Sequence, residues 1–453
     1  MKSTLFIGNL VLKFKDVYKN FYRGMIKIFN NINMIIPAII FIIVYALIIS
    51  EKVNRVVASL SGAAIMLILK LITQEKAFLK IDFNTIGLLI GMMIIVNITK
   101  RTGVFEYIAI KAAKFSKGNP IKILILFSLI TALLSGVLDN VTTVLLIVPV
   151  SLVITKTLEI NPIPFLMCEI FASNIGGTAT LIGDPPNLMI GSAAGLSFLD
   201  FVKNLAPVIA IILIVTLFFV KQIYKNSMNT SEEDKEKIMA LDESKAIRDK
   251  SLMKKCLIIL FLTLVGFLTH SLLGFESATI AIAGSAILLA ISKVEPDEIL
   301  QETEWGTIFF FIGLFIMTGV LEDVGIMRVL AQKTLSITKG NLVMTGVFIL
   351  WISAIASAFI DNIPFVATMI PLIKAMGTMG GMDIVPLWWA LSLGACLGGN
   401  GTIIGASANL VVIGIAEKSG YKISFKDYFK LGFPLMLLSI IICTAYLLIF
   451  FLK

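Results

Sequence analysis

Ser135-Gly-Val-Leu-Asp139-Asn140 and Ser357-Ala-Phe-Ile-Asp361-Asn362 are two readings of one motif, 222 positions apart, each set inside an apolar run that ends in a proline, Pro149 and Pro371. The same offset holds without a gap from Gly62/Gly284 through Gly91/Gly313, Gly103/Gly325, Gly118-Asn119/Gly340-Asn341 and Pro164/Pro386. It continues to Gly176-Gly177/Gly398-Gly399, Gly183/Gly405 and Asn187/Asn409. A carboxylate at bilayer depth costs ~2.5–3.5 kcal/mol on insertion scales, so two at matching positions need a reason. A duplicated apolar chain interrupted by Gly and Pro is how a secondary transporter is built.

Composition sets the class. Hydrophobic residues make up 58% of the 453 residues and the mean hydropathy is +0.96, which fits a polytopic membrane protein. The net charge of +9 sits in short segments beside apolar runs, where basic residues set topology and do not mark nucleic-acid binding. Residues 1–33 read as a basic surface arm; they lack the apolar core and cleavage site of a signal peptide. Cys168, Cys256, Cys396 and Cys443 are too scattered for a disulfide framework or a metal site, and His270 stands alone.

Apolar runs of spanning length fall at about 34–50, 55–72, 84–100, 162–182 and 202–221, and again at about 256–273, 277–292, 304–321, 386–405 and 433–451. Between the third and fourth run of each half lies a surface helix, 103–117 in the first copy, with Val104, Phe105, Ile108 and Ala112 on one side. Two apolar arms follow, 120–138 and 141–155, meeting at Asp139-Asn140 with no polar loop. They read as a re-entrant hairpin, with its twin at Asp361-Asn362, tolerable at depth only against protein or a water-filled cavity. The expected fold is an all-α polytopic membrane protein of two five-span halves, 34–221 and 256–453, joined by a polar linker over 222–255. Five is odd, so the halves run in opposite senses and form an inverted repeat. A cytoplasmic linker places most Lys and Arg inside, although it leaves the basic arm outside.

The second constellation runs from Asn174 through Gly176-Gly177-Thr178 and Thr180 to Gly183-Asp184-Pro185-Pro186-Asn187. Its repeat runs through Gly398-Gly399-Asn400 and Thr402 to Ser407 and Asn409. Paired glycines and prolines weaken a helix, so each span is expected to break near mid-membrane and turn carbonyls and half-helix ends toward a bound ion. Ser135, Asp139, Asn140, Thr143, Ser357, Asp361 and Asn362 at the tips complete the candidate ion or substrate site. Na⁺ near Asp139, Asn140, Asp361 and Asn362, or H⁺, is the coupling ion. The two tip aspartates have a structural reading as well, as N-caps of the return arms. Asp184 stands opposite Ala406, so any role for it is asymmetric. Glu169 is placed either in the bundle interior or near an interface, and Trp305, Trp351, Trp388 and Trp389 read as interfacial anchors or packing residues.

Leu138-Asp139-Asn140-Val-Thr-Thr143 with Asn174-Ile-Gly-Gly-Thr-Ala-Thr-Leu-Ile-Gly-Asp-Pro-Pro-Asn187 resembles the arsenite-permease and NhaD-type antiporter group of the ion transporter superfamily. The Gly-Asp-Pro-Pro-Asn stretch is most similar to the melanocyte P-protein branch. More distantly the chain is similar to the sodium-coupled dicarboxylate transporters, whose tips carry Ser-Asn-Thr. The resemblance implies a central site between two hairpins, a homodimer through scaffold helices, and elevator-like movement. An Asp in place of Ser before Asn140 and Asn362 disfavours a multivalent carboxylate unless a cation or proton neutralises it. The reading is therefore a secondary transporter of the inner membrane moving a small ion or solute, by arsenite efflux or Na⁺/H⁺ antiport, with no cofactor and no enzymatic step. A sodium-coupled anion symporter is the alternative. A passive channel is a third reading. An intramembrane aspartyl protease is a remote one, since its Tyr-Asp, Gly-x-Gly-Asp and Pro-Ala-Leu signatures are missing.

Overall fold

The computed structural model describes residues 32–50, 52–226 and 228–452, and every regular element among them is helical. The basic arm expected over 1–33 lies outside the described residues except for Ile32 and Asn33, and the His270 side chain also lies outside them. In the first half come α1 Ile32–Ser50, α2 Arg55–Ile68, a short α3 Gln74–Lys80, α4 Phe83–Lys100 and α5 Val104–Phe115. They are followed by α6 Pro120–Ser135, α7 Asn140–Thr157, α8 Ile163–Thr178, α9 Pro185–Ala194 and α10 Phe198–Tyr224. The connector carries α11 Glu232–Met239. The second half has α12 Lys250–Leu273, α13 Ser277–Ser292, α14 Pro296–Gln301, α15 Trp305–Asp323 and α16 Ile326–Thr338. After them run α17 Leu342–Phe359, α18 Asn362–Gly380, α19 Val385–Gly398, α20 Ser407–Lys418 and α21 Phe425–Phe450.

The sequence repeat recurs as a repeat of contacts. Asn119 caps α6 by accepting from Lys122 N at 3.0 Å, and Asn341 caps α17 by accepting from Met344 N at 2.9 Å. The turns before them both use two left-handed residues, Lys117-Gly118 and Lys339-Gly340. A close helix crossing repeats too. Gly91 of α4 lies against the backbone of Ala281 in α13, and Gly313 of α15 against the backbone of Ser59 in α2. The third long helix of each half thus packs on the second of the other, through the small residues that membrane helices use for close approach. A salt bridge recurs at equivalent positions with its signs exchanged: Lys80 to Asp323 at 2.7 Å, and Arg101 to Glu302 at 2.7 Å.

The described residues form two compact units. One holds residues up to 81 together with 309–330; the other, 82–308 and 331 onward, contains both hairpins and both broken helices. In this larger unit α6 and α7 meet at Gly136–Asp139, and α17 and α18 at Ile360-Asp361. The outgoing arm of each hairpin lies along a broken helix, α6 on α8 and α17 on α19. Each return arm packs on the other half's second fragment, α7 on α20 and α18 on α9. The hairpins therefore interlock with the halves exchanged.

Among the described residues eight helices are long and apolar enough to cross a bilayer. Three of these, α7, α17 and α18, are hairpin arms. Expected spans such as 55–72 and 386–405 fall short, because α2 stops at Ile68 and α19 at Gly398. Length alone does not separate a crossing from a re-entrant arm. Ile214 and Phe218 of α10, Ile258 and Phe261 of α12, and Ile449 of α21 leave large apolar side chains exposed, as lipid-facing helices do. Trp388 and Trp389 are buried packing residues, with Trp389 edge-on to Phe201 at 5.3 Å, whereas Trp305 is exposed.

The surface helix is present as α5, with Val104, Phe105, Ala109, Ala112 and Ala113 buried. The mixed-charge run over 222–255 reads as a solvated linker, yet much of it is docked. Lys114 of α5 donates to Leu241 O at 2.8 Å and pairs with Glu243 at 2.5 Å. The Lys114 ammonium holds the Glu243 carboxyl below the usual carboxylate range. Arg248 N donates to Thr102 O at 3.0 Å. At Gly103, with φ of 78°, any side chain would strike the Ala246 carbonyl.

The crossing at Gly91 is testable against an internal control. A Cβ there would lie 2.6 Å from the Ala281 carbonyl carbon, whereas at helical Gly414 it meets nothing within 4 Å. Gly91→Ala should destabilise the detergent-solubilised protein by ~1–3 kcal/mol, the cost of overpacking. Gly414→Ala should be neutral or stabilising by up to ~1 kcal/mol. Thermal unfolding of the two variants checks the pair.

Candidate functional site

Both broken helices come apart where Gly-Gly removes side-chain packing. The α8 helix ends at Thr178 and α9 begins at Pro185; α19 ends at Gly398 and α20 begins at Ser407, with a 3-10 turn at Ile403–Gly405 between them. The breaks free carbonyls, and equivalent asparagines satisfy them. Asn187 Nδ2 donates to Thr178 O and Thr180 O at 3.2 and 2.9 Å; Asn409 Nδ2 donates to Gly399 O and Thr402 O at 2.8 and 2.9 Å. Buried backbone acceptors that lose a helical partner need a substitute, and a side-chain amide supplies two donors at once.

Hydroxyls lock the hairpins to these breaks in the same duplicated way. Ser135 Oγ donates to Ser173 O at 2.7 Å and Ser357 Oγ to Ala395 O at 2.5 Å. Thr180 Oγ1 donates to Gly136 O at 2.6 Å, and Thr402 Oγ1 donates to Ala358 O. Thr178 Oγ1 returns to Asn174 O in its own helix at 2.6 Å. These five hydroxyls, together with the Asn187 and Asn409 amides, hold the backbone of the site in shape.

At the centre the two halves meet through amides. Asn174 of α8 donates to Asn400 Oδ1 and Asn409 Oδ1, both at 2.9 Å, and accepts from Asn140 Nδ2 at 3.2 Å. Asn140 of the first tip also reaches Asp184 Oδ1 at 3.4 Å. Asn362 of the second tip donates to both oxygens of Asp184 at 3.3 Å. Asp184 occupies the N-cap position of α9 but makes no cap hydrogen bond; its carboxylate is turned to the tips instead. It is buried, and the donors that reach it are neutral: the two tip amides and the Cys396 thiol. At Pro185 and Pro186 the fragment has no N–H to offer, so this helix start gives little to an anion.

The tip aspartates take the capping geometry. Asp139 accepts from Thr142 N at 2.8 Å and from the Thr142 hydroxyl. Asp361 accepts from Ile363 N at 3.1 Å and from Ser407 Oγ at 2.9 Å. Thr142-Thr143 aligns with Pro364-Phe365 in the repeat, and at the second tip Ser407 of the same half's broken helix stands in for the missing threonine. The Thr143 hydroxyl is buried without a partner, one turn beyond the first tip. Among the described residues no group of three or more His, Cys, Asp or Glu is placed to hold a metal ion.

Some members of the cluster were not singled out from the sequence. Ser392 Oγ donates to Asn187 Oδ1 at 2.6 Å, and Cys396 Sγ approaches the same oxygen at 3.5 Å. Ser392, Cys396 and Asn400 follow one another at four-residue spacing on one face of α19 and its extension, a polar stripe that helical periodicity makes visible. Glu169 faces the interior, with one oxygen on Ser151 Oγ and the other without a hydrogen bond.

Gly177 and Gly399 are the tightest test of the breaks. A Cβ on Gly177 would land on the Gly183 carbonyl oxygen; on Gly399 it would sit 3.0 Å from Ala406 Cβ and 3.2 Å from Cys396 O. Gly177→Leu and Gly399→Leu should each abolish transport while insertion remains normal. Alanine should be worse tolerated at 177 than at 399. Flux measured against membrane yield for the four variants checks both statements.

Comparison with known proteins places this geometry. The sequence profile described as Citrate transporter matches residues 45–394. An uncharacterized transporter of Mycobacterium tuberculosis is 45% identical over 419 residues, covering 91% of this chain and 97% of the relative. The P protein of Homo sapiens is 34% identical over 490 residues, covering 90% of this chain and 58% of that longer protein. Among solved structures the YdaH transporter of Alcanivorax borkumensis shares the fold, with a TM-score of 0.58 at 13% identity over 91% of this chain and 97% of that one. The P-protein branch expected from Gly183-Asp184-Pro185-Pro186-Asn187 is thus among the relatives, and the bacterial relatives agree with an inner-membrane location. This chain is a multi-pass membrane protein whose role is transport, not catalysis, and it belongs to the Citrate transporter family.

Proposed function

We propose that the protein is a secondary active transporter that exchanges a monovalent cation, Na⁺ or H⁺, at Asp184, with Asp139 and Asp361 flanking the site. The observation that carries this reading is the convergence of Asn140 and Asn362, one from each hairpin tip, on the single buried Asp184 carboxylate. Neutral amides orient a carboxylate without neutralising it. A cation or proton supplies the missing charge, and its loss leaves a buried ion whose desolvation is costly. Because both tips hold the same group, a change in its charge acts on both hairpins at once.

The rest of the arrangement supports a carrier. The duplicated hydrogen bonds fit two halves of five crossings each, inverted in the membrane, with the interlocked hairpins moving as one transport element past scaffold helices in a homodimer. Arsenite efflux fits the same site, since a neutral solute is not repelled by three carboxylates. The family description favours a second reading, sodium-coupled symport of an anion such as citrate. That reading requires cations to neutralise Asp184, Asp139 and Asp361 before a carboxylate can approach.

Reconstituted transport separates these readings, with Na⁺, arsenite and citrate offered against imposed H⁺ and Na⁺ gradients. Asp184→Asn keeps a group able to accept from both amides but removes the charge. It should lower cation-coupled flux ~10–100-fold, the factor implied by ~1.5–3 kcal/mol for a hydrogen-bonded charged group. Asp139→Asn and Asp361→Asn preserve capping and should fold normally; the first is expected to lose more coupled flux than the second. Full, pH-dependent flux in Asp184→Asn would remove the proposed site.

A further inference from the structure

A cavity of about 320 Å³ lies at the outer end of the first broken helix. Its walls come from the start of α4 at Asn84 and Thr85, the end of α9 at Gly191 and Ser192, and the turn before α13 at Phe275 and Glu276. A water takes about 30 Å³ of liquid volume, so the space admits an ion with its hydration shell. Leu88 and Leu188 line this cavity and also a second, narrow gap whose far wall is Leu138-Asp139. The two spaces share these leucines as a wall, and the gap, at about 10 Å³, is too narrow for a hydrated ion until they part.

Chain direction fixes the side on which the mouth opens. The α10 helix starts at Phe198, two residues after Leu196 of the cavity wall, and its 27 residues end at the connector. At ~1.5 Å per residue it covers ~40 Å, a full crossing. The α12 helix leaves the connector and ends beside Gly274, again at the cavity wall. The mouth is on the face opposite the connector.

Among the described residues, Glu276 is the charged one in the cavity wall. Asn84 fixes it: Nδ2 donates to Glu276 Oε2 at 3.2 Å, while Asn84 Oδ1 accepts from Ala278 N at 3.2 Å. The positions displaced by 222 residues carry Gly306 for Asn84 and, in the opposite sense, Asn54 for Glu276, so the second copy lacks the carboxylate. A neutral wall has no preference for cations; a carboxylate held at a concave mouth, solvent-exposed as Glu276 is, attracts them at low salt.

We infer that this cavity is the ion vestibule on the face opposite the connector, and that Glu276, held by Asn84, selects cations for entry toward Asp139. The inference rests on the cation-exchange reading and extends it by naming the path and the charge class. Two measurements test it. In Ser192→Cys, with the native cysteines Cys168, Cys256, Cys396 and Cys443 buried, the rate of modification by a cationic methanethiosulfonate is compared with that by an anionic one. The cationic reagent should react ~10-fold faster at low salt, and the ratio should fall toward one at high salt and in Ser192→Cys with Glu276→Gln. In proteoliposomes Glu276→Gln should raise the KM for Na⁺ ~3–10-fold at low ionic strength with kcat unchanged, and Glu276→Lys should raise it further. Arsenite, neutral at pH 7, should show no such shift. An unreactive Ser192→Cys, equal rates with the two reagents in the Glu276 background, or an unchanged KM in Glu276→Lys would overturn the vestibule. The reagent rates need no transport, so a chain that moves no cation yet shows the rate ratio would instead overturn the exchange reading.

Discussion

One carboxylate, Asp184, ties together parts of the chain that otherwise have no reason to meet. Asn140 and Asn362 come from different halves and reach it within 3.4 Å. A buried carboxylate held only by neutral donors, the tip amides and the Cys396 thiol, is held in orientation without charge balance. Every other device at the centre secures that arrangement. Asn187 and Asn409 close the broken backbones, Ser135 and Ser357 fix the hairpins to the breaks, and Asn174 bonds one half to the other. Both oxygens of Asp184 accept hydrogen bonds, and the nearest orphaned buried atom at the tips is the Thr143 hydroxyl.

Duplication supplies the frame, and departures from it supply the chemistry. The caps, turns, glycine crossings and hydroxyl bonds recur at a constant offset. At that offset Asp184 aligns with Ala406, Glu276 with Asn54, and Thr142-Thr143 with Pro364-Phe365. A symmetric scaffold can present the same backbone to both sides of a membrane. The unpaired Asp184 and Glu276 break the equivalence of the two copies, and on the exchange proposal that asymmetry gives the two faces different electrostatics.

The hairpins and helix breaks were legible because each is a local conflict. Two apolar arms with no polar loop cannot both cross, and Gly-Gly followed by Pro-Pro cannot remain helical. The capping of α7 and α18 by Asp139 and Asp361 was legible for the same reason. Asp184 was visible as an asymmetric residue, but its place between both tips depends on the exchanged packing of α9 on α18 and α7 on α20, which no periodicity records. Ser392 lay hidden in an apolar helix although its spacing to Cys396 and Asn400 marks a face. The docking of the connector on α5 was illegible, because a run of mixed charge reads the same whether solvated or seated against Lys114 and Thr102. Crossing number was the least accessible quantity, since hairpin arms and spans share length and hydropathy.

The most direct test of the central claim is calorimetric titration of Na⁺ into the purified protein in buffers of different ionisation enthalpy, with Asp184→Asn beside the wild type. Exchange of Na⁺ for H⁺ at one carboxylate predicts release of about one proton per Na⁺ bound near neutral pH. It also predicts affinity that weakens as pH falls, and loss of both in Asp184→Asn. Na⁺ binding without proton release, or unchanged proton release in Asp184→Asn, would contradict the account.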